Sequence, residues 1–539
     1  MGIERATHGA GAGGPGPGAG GGTAAGVAGD RRGGAVSALY TAMPLWVLMT
    51  SLVTAVVIFL LGERRQRART AMNLGGALAK LALVAVMLFG VWAGHDFHFR
   101  WAVIPGGPDI VLHADALAML FISLSALLWL LTTVYAIGYL EGQPHRCRFF
   151  GFFSLCVAAT MGIATAGNLF TFFIFYELLT LSTWPLVVHK GTHAALRGGA
   201  VYLRYTLGAG LLLLPGIIGF YLLTGLQSFQ PGGVVGEVVP EQALALTVFF
   251  WMMALGIGVK AALVPLHGWL PTAMVAPAPV SALLHAVAVV KAGAFGIVRL
   301  VQDLYGISVV AELGVGVPLA LLASFTILYG SWRALAQDDI KRRLAFSTVS
   351  QVAYITLGVA VAGPVAAVGG LVHLVHQGLM KITLFFCAGN VAETLGVHSI
   401  RDLDGTGRRM PLTMAAFTLG AFGMIGAPPL AGFISKWHLG IGMVEAGMPA
   451  FIAVLVASTL LNAAYFLPVL HRIWFRPPPD QWPNERDLGP GETHGWLLWP
   501  TLTTAAMALG AGLLAGMPFS PLDWVSLIIE RDYGLVPQP

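Results

Sequence analysis

Charged residues are scarce in this chain of 539 residues, where Asp, Glu, Lys and Arg together make up 10% of the sequence. Soluble domains carry roughly 25% charged residues, and a soluble chain of this length would divide into several domains. Here 56% of the residues are hydrophobic, and long apolar runs recur from end to end. Runs of roughly 20 apolar residues are long enough to cross a bilayer core. The sequence therefore predicts an all-α polytopic membrane protein and excludes a β-barrel, whose strands are short alternating segments.

Cysteine is also rare, and Cys147, Cys156 and Cys387 do not have metal-ligand spacing. Two of them lie in apolar runs, where a thiol behaves as a small hydrophobe. We therefore expect no disulfide framework and no metal site. The net charge of +5 does not indicate nucleic-acid binding, because the basic residues lie in short loops between apolar runs. The sequence has no motif for a flavin, haem, quinone or iron–sulfur cluster, so we expect no cofactor and no catalytic site in this chain.

The apolar runs predict fourteen membrane spans. They lie near residues 41–62, 74–94, 115–138, 149–166, 169–188, 199–225, 242–265, 275–301, 308–332, 344–362, 365–390, 411–433, 437–471 and 496–518. Residues 1–36 are rich in Gly, Ala and Pro and are predicted to form a disordered tail. We divide the remainder into N-terminal transmembrane helices (37–114), a core (115–475), and a last segment with a loop, one helix and a tail (476–539).

The distribution of lysine and arginine predicts the topology. The loops after odd-numbered spans carry most of these residues, whereas the even-numbered loops hold only Arg100 and Arg299. By the positive-inside rule the odd-numbered loops are cytoplasmic. We therefore expect a multi-pass protein of the cell's inner (plasma) membrane, with the lipid bilayer around it and both termini on the non-cytoplasmic side.

Two charges lie in the middle of otherwise uncharged spans, Glu177 in the fifth and Lys260 in the seventh. A charge at mid-bilayer costs at least roughly 2.5–3.5 kcal/mol, and such groups usually mark an ion or proton path. If the two side chains meet, each stabilises the charged form of the other, and a proton that arrives or leaves changes the energy of the pair. The alternative is a static salt bridge that fixes helix packing.

Proline predicts where two spans are interrupted. Pro265 lacks the amide that would bond the carbonyl of Ala261, so the helix should break or kink one turn after Lys260. Pro428 and Pro429 interrupt the twelfth span shortly before Lys436. Irregular backbone at membrane depth is tolerated where it lines a cavity, and two such breaks are typical of transporters with inverted repeats.

Further titratable side chains lie within the spans, and we predict that they relay protons. They are His285 and Lys291 in the eighth span, His373, His376 and Lys381 in the eleventh, and Lys436 after the second break. Imidazoles exchange protons near neutral pH, although a lone buried histidine is usually a packing residue. Arg204 is either a helix-end anchor or a modulator of Glu177, His267 either lines the break or lies at its interface, and Lys80 is expected to snorkel near a helix end.

Five segments give the chain a family resemblance. They are FFIFYELLTLSTWPLV, KAALVPLHGWLPTAMVAPAPVSALLHAVAVVKAGAFGIVRL, DDIKRRLAFSTVSQVAYI, HLVHQGLMKITLFFCAGNV and GAPPLAGFISKWHL. The chain resembles the proton-conducting antiporter-like subunits of NADH–quinone oxidoreductase (complex I), membrane-bound hydrogenases and Mrp-type cation/proton antiporters, and it is most similar to the D-type subunits of Mrp antiporters. The resemblance implies fourteen helices with two inverted five-helix repeats (spans four to eight and nine to thirteen) and broken helices seven and twelve.

The resemblance also implies a function and partners. Glu177, Lys260, Lys291, His376, Lys381 and Lys436 would form a hydrated proton path across the middle of the membrane, and redox chemistry would belong to partner subunits. We expect other membrane subunits of a hetero-oligomeric complex as partners and protons as the transported ions, joined by Na⁺ or K⁺ if the complex is an antiporter. The alternatives are a stand-alone secondary transporter and a non-conducting assembly subunit. Whether the complex is an antiporter or a redox enzyme is left open.

Overall fold

Long helices make up most of the computed structural model, which describes residues 39–486 and 491–534. The predicted tail at residues 1–36 lies outside the described residues. The helices and strands, in chain order, are α1 (Met43–Leu61), α2 (Gln66–Trp92), β1 (His98–Trp101), β2 (Ile110–His113), α3 (Ala116–Tyr139), α4 (Arg146–Ala164), α5 (Leu169–Val187), α6 (His193–Thr224), α7 (Pro240–Lys260), α8 (Ala278–Tyr305), α9 (Gly316–Leu335), α10 (Ile340–Ala360), α11 (Pro364–Leu395), α12 (Pro411–Ile425), α13 (Ala431–Glu445), α14 (Pro449–Phe475) and α15 (Gly495–Leu513). Short helical turns lie at Trp269–Thr272, Ala273–Val275, Ile307–Glu312, Ile400–Leu403, Thr406–Arg409, Pro521–Leu527 and Ile528–Asp532.

Eleven of the described helices are long and apolar enough to cross a membrane. They include every long helix except α9, α10 and the two short segments α12 and α13. The predicted spans 308–332, 344–362 and 411–433 fall on these exceptions and are therefore not among the eleven. The strands β1 and β2 form an antiparallel hairpin between α2 and α3, in which His98 pairs with His113.

The prediction of one span over residues 437–471 is wrong. Two helices occupy this stretch, because α13 ends at Glu445 and α14 begins at Pro449. A turn that contains Gly447 at φ 70° separates them. The continuous apolar character of the stretch concealed the turn, since periodicity does not show where one buried helix ends and the next begins.

Both proline-containing stretches interrupt their helices. α7 ends at Lys260, and the chain resumes a helical turn at Trp269. Within this break, the Trp269 indole nitrogen donates to the carbonyl of Val259 (2.7 Å), and the amide of Val264 donates to Thr326 Oγ1 (3.0 Å). The backbone groups that the break frees thus find partners inside the protein, as non-helical backbone at membrane depth requires.

The helices α8 and α11 form the centre of the molecule. The apolar parts of both are completely buried, whereas only 28% of the corresponding part of α14 is buried. Two stretches of α8, Leu283–Val287 and Arg299–Tyr305, are π-helical. Polar side chains on α8 and α11 therefore face other helices of this chain and not lipid.

Arg299 does not lie in a loop, contrary to the topology prediction. It belongs to α8 and is buried, with its guanidinium bonded to both carboxylate oxygens of Asp115 (2.6 and 2.7 Å) and to Asp303 Oδ2 (2.7 Å). The Tyr533 hydroxyl donates to the other Asp303 oxygen (2.8 Å). Two carboxylates, which lie far apart in the sequence, offset the cost of burying this arginine.

Candidate functional site

Lys260 lies at the end of α7, fully enclosed by protein. Its ammonium donates to the backbone carbonyl of Tyr176 on α5 and lies 3.1 Å from the centre of the Tyr176 ring. The Tyr176 hydroxyl in turn donates to the carbonyls of Gly256 and Ile257 near the end of α7 (3.1 and 3.3 Å). The tyrosine therefore joins the two helices and supplies the lysine with an acceptor and a cation–π contact.

Glu177 follows Tyr176 directly and is half-buried. Its Oε1 atom makes no hydrogen bond to any described residue, and a Cβ at Gly210 of α6 would lie only 2.7 Å from it. Glu177 and Lys260 are close enough for each charge to act on the other, but the Lys260 ammonium donates to the Tyr176 carbonyl, and no ion pair joins the two side chains among the described residues. The structure thus brings the predicted pair into one neighbourhood without a direct salt bridge.

Lys291 of α8 connects this neighbourhood with α11. Its ammonium is buried and donates to the carbonyl of Leu374 (2.5 Å). Two residues further along α8, Gly293 packs directly on the backbone of Lys260 and Ala261, and a side chain there would collide with the Ala261 nitrogen. The lack of a side chain at Gly293 allows α8 to approach the end of α7 closely.

The two histidines of α11 have different surroundings. His373 is held by Ser435 Oγ (2.8 Å) and Gln351 Oε1 (3.1 Å). His376 is also buried, and neither of its ring nitrogens makes a hydrogen bond of normal geometry to a described residue, although the ring approaches the backbone of Ala431. Buried polar atoms without protein partners are usually bound to water. His373 is therefore oriented by the protein, whereas His376 is free to bind water.

Lys381 of α11 and His285 of α8 are two further buried side chains of the site. Lys381 donates to Ser347 Oγ (2.6 Å) and to the carbonyl of Leu344 (3.3 Å) on α10. The His285 ring packs 4.5 Å from the Phe385 ring, and neither of its nitrogens bonds to a described residue. It belongs to the first π-helical stretch of α8, a distortion that is frequent at functional sites.

Lys436 lies on α13 and reaches back to the end of α12. Its ammonium donates to the carbonyls of Met424 (3.3 Å) and Ile425 (2.7 Å) and to Thr459 Oγ1 (3.1 Å). These carbonyls end a helix, where the helix dipole favours a positive charge. Lys436 also lines an open cleft of about 500 Å³ with apolar walls, so it is less enclosed than Lys260.

The two accessory residues are more peripheral. Arg204 is exposed on α6, and its Nε donates to the carbonyl of Ala200 one turn earlier (3.2 Å). This contact is that of a side chain folded along its own helix. The half-buried ring of His267 lies within the first break, 5.1 Å from the Tyr329 ring.

Electrostatic contacts join most of the predicted residues into one cluster. The charge of Lys291 acts on His373, His376 and Lys381, and that of Lys436 acts on His373. Lys381 acts likewise on His285. Like charges repel strongly in a low-dielectric interior, so a proton on one of these groups disfavours a proton on its charged neighbours. Such an arrangement can hold protons and pass them along through water.

Sequence reasoning missed the neutral partners of the charged groups. Tyr176, Ser347, Gln351, Ser435 and Thr459 each contact one of the predicted residues. Tyr176 carried a signal, because it directly precedes Glu177. The other four are ordinary polar residues of apolar helices, which only the packing of those helices distinguishes. Among the described residues, no group of three His, Cys, Asp or Glu side chains is arranged to hold a metal ion.

The fold and the site define a class, which is a polytopic helical membrane protein with interrupted helices and buried lysines and histidines in addition to one half-buried glutamate. The family model for the transmembrane region of NADH:quinone oxidoreductase and Mrp antiporters matches residues 166–462. The chain therefore belongs to the NADH:quinone oxidoreductase/Mrp antiporter transmembrane family.

The chain is similar both to subunits of NADH-quinone oxidoreductase and to subunits of Na⁺/H⁺ antiporters. The N-type subunit of NADH-quinone oxidoreductase from Desulforudis audaxviator is 35% identical over 489 residues, covering 88% of this chain and 95% of that protein. The D-type subunit of the Na⁺/H⁺ antiporter from Bacillus subtilis is 27% identical over 425 residues, covering 78% and 82%. A chain of the Mrp complex from Dietzia sp. DQ12-45-1b shares the fold, with a TM-score of 0.79 and 24% identity over 92% of this chain and 98% of that one.

Proposed function

We propose that this chain is a proton-translocating subunit of a multisubunit membrane complex. The observation that carries the proposal is the enclosed Lys260 at the end of an interrupted helix, with its charge acting on Glu177. Relatives named as subunits of quinone oxidoreductases and of an Na⁺/H⁺ antiporter support the same function. Other membrane subunits are then the partners, and redox chemistry or cation exchange supplies the coupling.

The proton path runs through the residues that the helices bring together. Glu177 and Lys260 form the switch, Lys291 receives the proton at α8, and His373 and His376 connect it with Lys436. Lys381 and His285 exchange protons with Lys291 from the side. When Lys260 loses its proton, the Glu177 carboxylate loses a stabilising charge. Release of a proton by Lys260 and uptake of a proton by Glu177 therefore favour each other.

The topology belongs to the same proposal. α1–α3 and α15 flank two five-span repeats, α4–α8 and α9–α14, if α12 and α13 together form one crossing. This gives fourteen crossings with both termini on the non-cytoplasmic side. An Arg64→Cys variant tests the orientation, because a membrane-impermeant thiol reagent should label it in inverted vesicles and not in intact cells. The reverse labelling pattern would overturn the orientation.

Proton movement in inverted vesicles tests the function. Lys260→Met and Glu177→Gln should each abolish proton movement while the complex still assembles, because each removes one member of the switch. Glu237→Gln is the matched control, since Glu237 lies exposed in the loop before α7. Normal proton movement in both switch variants would contradict the proposal.

The same vesicles distinguish the two kinds of coupling. Dissipation of a proton gradient on addition of Na⁺ or K⁺, without any redox substrate, would identify an antiporter. Proton uptake that requires NADH, ferredoxin or hydrogen would identify a redox complex. Transport by the purified single chain would instead identify a stand-alone transporter.

A further inference from the structure

One fully buried lysine among the described residues, Lys80, lies outside the proposed proton path, among the first three helices. Lys80 is fully buried in the middle of α2, contrary to the expectation that it snorkels toward a helix end. Its ammonium donates to Ser51 Oγ on α1 (2.6 Å) and lies 4.5 Å from the centre of the Trp129 ring on α3. An ammonium has three donors, so one hydroxyl and one ring face leave it incompletely paired.

Along the buried face of α2, polar side chains lie on only one side of Lys80. Arg69 and Asn73 lie on the same buried face of α2, about three and two turns before Lys80. Between Asn73 and Lys80, the Thr54 hydroxyl of α1 occupies the space that a side chain at Gly76 would need. Beyond Lys80 the buried face is apolar, with Val84, Met87, Gly90 and Val91.

The amide of Asn73 indicates that this interior holds water. Asn73 is fully buried, and neither its oxygen nor its nitrogen bonds to a described residue. An unpaired buried amide is costly, and in natural proteins ordered water usually satisfies such groups. The Trp129 indole nitrogen beside Lys80 is unpaired as well. These atoms line the same helix interfaces as the lysine.

Charged and polar groups line the mouth of this interior. Arg69 Nη1 donates to Cys147 Sγ (3.2 Å) and lies 3.6 Å from Glu63 Oε2. Glu63 also accepts from the amides of Arg146 and Cys147 at the start of α4 (3.1 and 2.9 Å). α1 and α3 present no charged side chain to Lys80, because their sequences contain none. The other charged groups of the neighbouring helices are Arg67, Arg146 and Arg148, all near helix starts.

We propose that Lys80 is a second proton-binding site of this chain, in a hydrated pocket between α1, α2 and α3 that opens only toward the end of α2 that carries Arg69. The amine takes up and releases one proton through the water beside Asn73 and Thr54. The apolar face beyond Lys80 prevents passage to the other side. The site therefore reports the proton concentration on one side of the membrane and does not conduct.

Lysine-specific nuclear magnetic resonance tests the site directly. The chain has seven lysines, and ¹⁵Nζ-lysine labelling of the intact complex in nanodiscs reports on them together with the lysines of the partner subunits. Comparison with Lys80→Met identifies the Lys80 signal, and Lys80→Arg serves the same purpose if the methionine variant does not fold. We expect the signal to move between its ammonium and neutral-amine positions as the pH of the sample is changed. A signal that keeps one position throughout the range in which the complex is intact overturns the proposal.

A pair of variants tests the role of the pocket water. Asn73→Leu replaces the unpaired amide with an apolar group of similar size and should slow the exchange of the Lys80 Nζ protons with bulk water. Thr50→Val is the control, because the Thr50 hydroxyl bonds the carbonyl of Val47 in its own helix (2.7 Å) and the exchange rate should not change. An unchanged exchange rate in Asn73→Leu overturns the proposed water route.

The outcome is separable from that of the proposed function. Loss of proton movement in Lys260→Met, together with a Lys80 signal that does not titrate, leaves the proposed function intact and overturns this site alone. Normal proton movement in Lys260→Met, together with a titrating Lys80 signal, does the opposite.

Discussion

The break after α7 and the break between α12 and α13 place a lysine in different ways. Lys260 precedes its break and points to α5, where it meets the Tyr176 carbonyl and ring. Lys436 follows its break and points back to the last carbonyls of α12. At the first break the helix end is satisfied by Trp269, whose indole bonds Val259. At the second break the lysine itself takes that role.

The two breaks differ in whether the lysine ammonium is held at a helix end. A helix end leaves carbonyls that need donors, and the side chain that supplies the donor is held there. Trp269 takes this role near Lys260, so Lys260 can respond to Glu177. Lys436 has three oxygen acceptors and borders an open cleft. We therefore expect the first break to switch within the chain, and the second to exchange protons with its surroundings.

Among the variants that test this comparison of the two breaks, Gly293→Ala should have the largest effect. It would displace the first break and leave the second unchanged. Gly293→Ala places a methyl group against the Ala261 backbone, which cannot move away as a flexible side chain does. We expect packing strain of about 1–3 kcal/mol and a loss of proton movement of about tenfold or more as Lys260 is displaced. Gly208→Ala is the control, since a methyl group there meets no atom within 4 Å. Equal rates in the two variants would contradict this account.

Removing the charge at the second break should have the next largest effect. Lys436→Met leaves the Met424 and Ile425 carbonyls without their charged donor, which should lower stability by about 1 kcal/mol. Proton movement should fall while assembly persists. Lys436→Arg keeps the charge and should retain the stability in a thermal unfolding assay. If the methionine and arginine variants melt at the same temperature, Lys436 does not stabilise the helix end.

Loss of the indole donor should make the first break resemble the second. Trp269→Phe leaves the Val259 carbonyl unpaired, so the helix end competes with Tyr176 for the Lys260 ammonium. We expect a stability loss of about 1 kcal/mol and a severalfold decrease in proton movement. Trp332→Phe is the control, because Trp332 is 61% exposed. Proton movement at the normal rate in Trp269→Phe would show that capping does not control Lys260.

The smallest expected effect is a pH dependence at the end of α5, the helix that carries the Lys260 acceptor Tyr176. His189 follows α5, and burial, followed by the Arg148 charge, lowers its pKa from 6.5 to about 4. Below about pH 6.5 the unfolded chain binds a proton that the folded chain excludes. Stability should therefore decrease as the pH falls from about 6.5 toward about 4.

Thermal unfolding of the complex at neutral and mildly acidic pH measures this effect. His189→Gln should remove part of the acid destabilisation, whereas His193→Gln, at an exposed residue of the α6 start, should not. An identical acid response in His189→Gln and the unaltered chain would contradict the assignment.

Much of the architecture was predictable from local features. The membrane class follows from the apolar runs, and the family from five motifs, and both are confirmed. The site roles of Glu177, Lys260 and the α8 and α11 residues stay predictions. The prediction of one helix over 437–471 failed because an apolar turn resembles an apolar helix. The predictions for Lys80 and Arg299 failed because spacing along one helix does not show what packs against it.

The sequence by itself determined that this chain enters the membrane, at which positions its charges lie, and that Pro265 interrupts a helix. These features depend on hydropathy and on a missing amide, which act locally. Only the tertiary structure decided what each charge meets. Tyr176 lies 84 residues before Lys260, and Ser51 lies 29 residues before Lys80. The partners are set by which helix faces pack together, and that packing depends on the volumes of many apolar side chains at once. Glycines such as Gly293 have a role only where another backbone comes close.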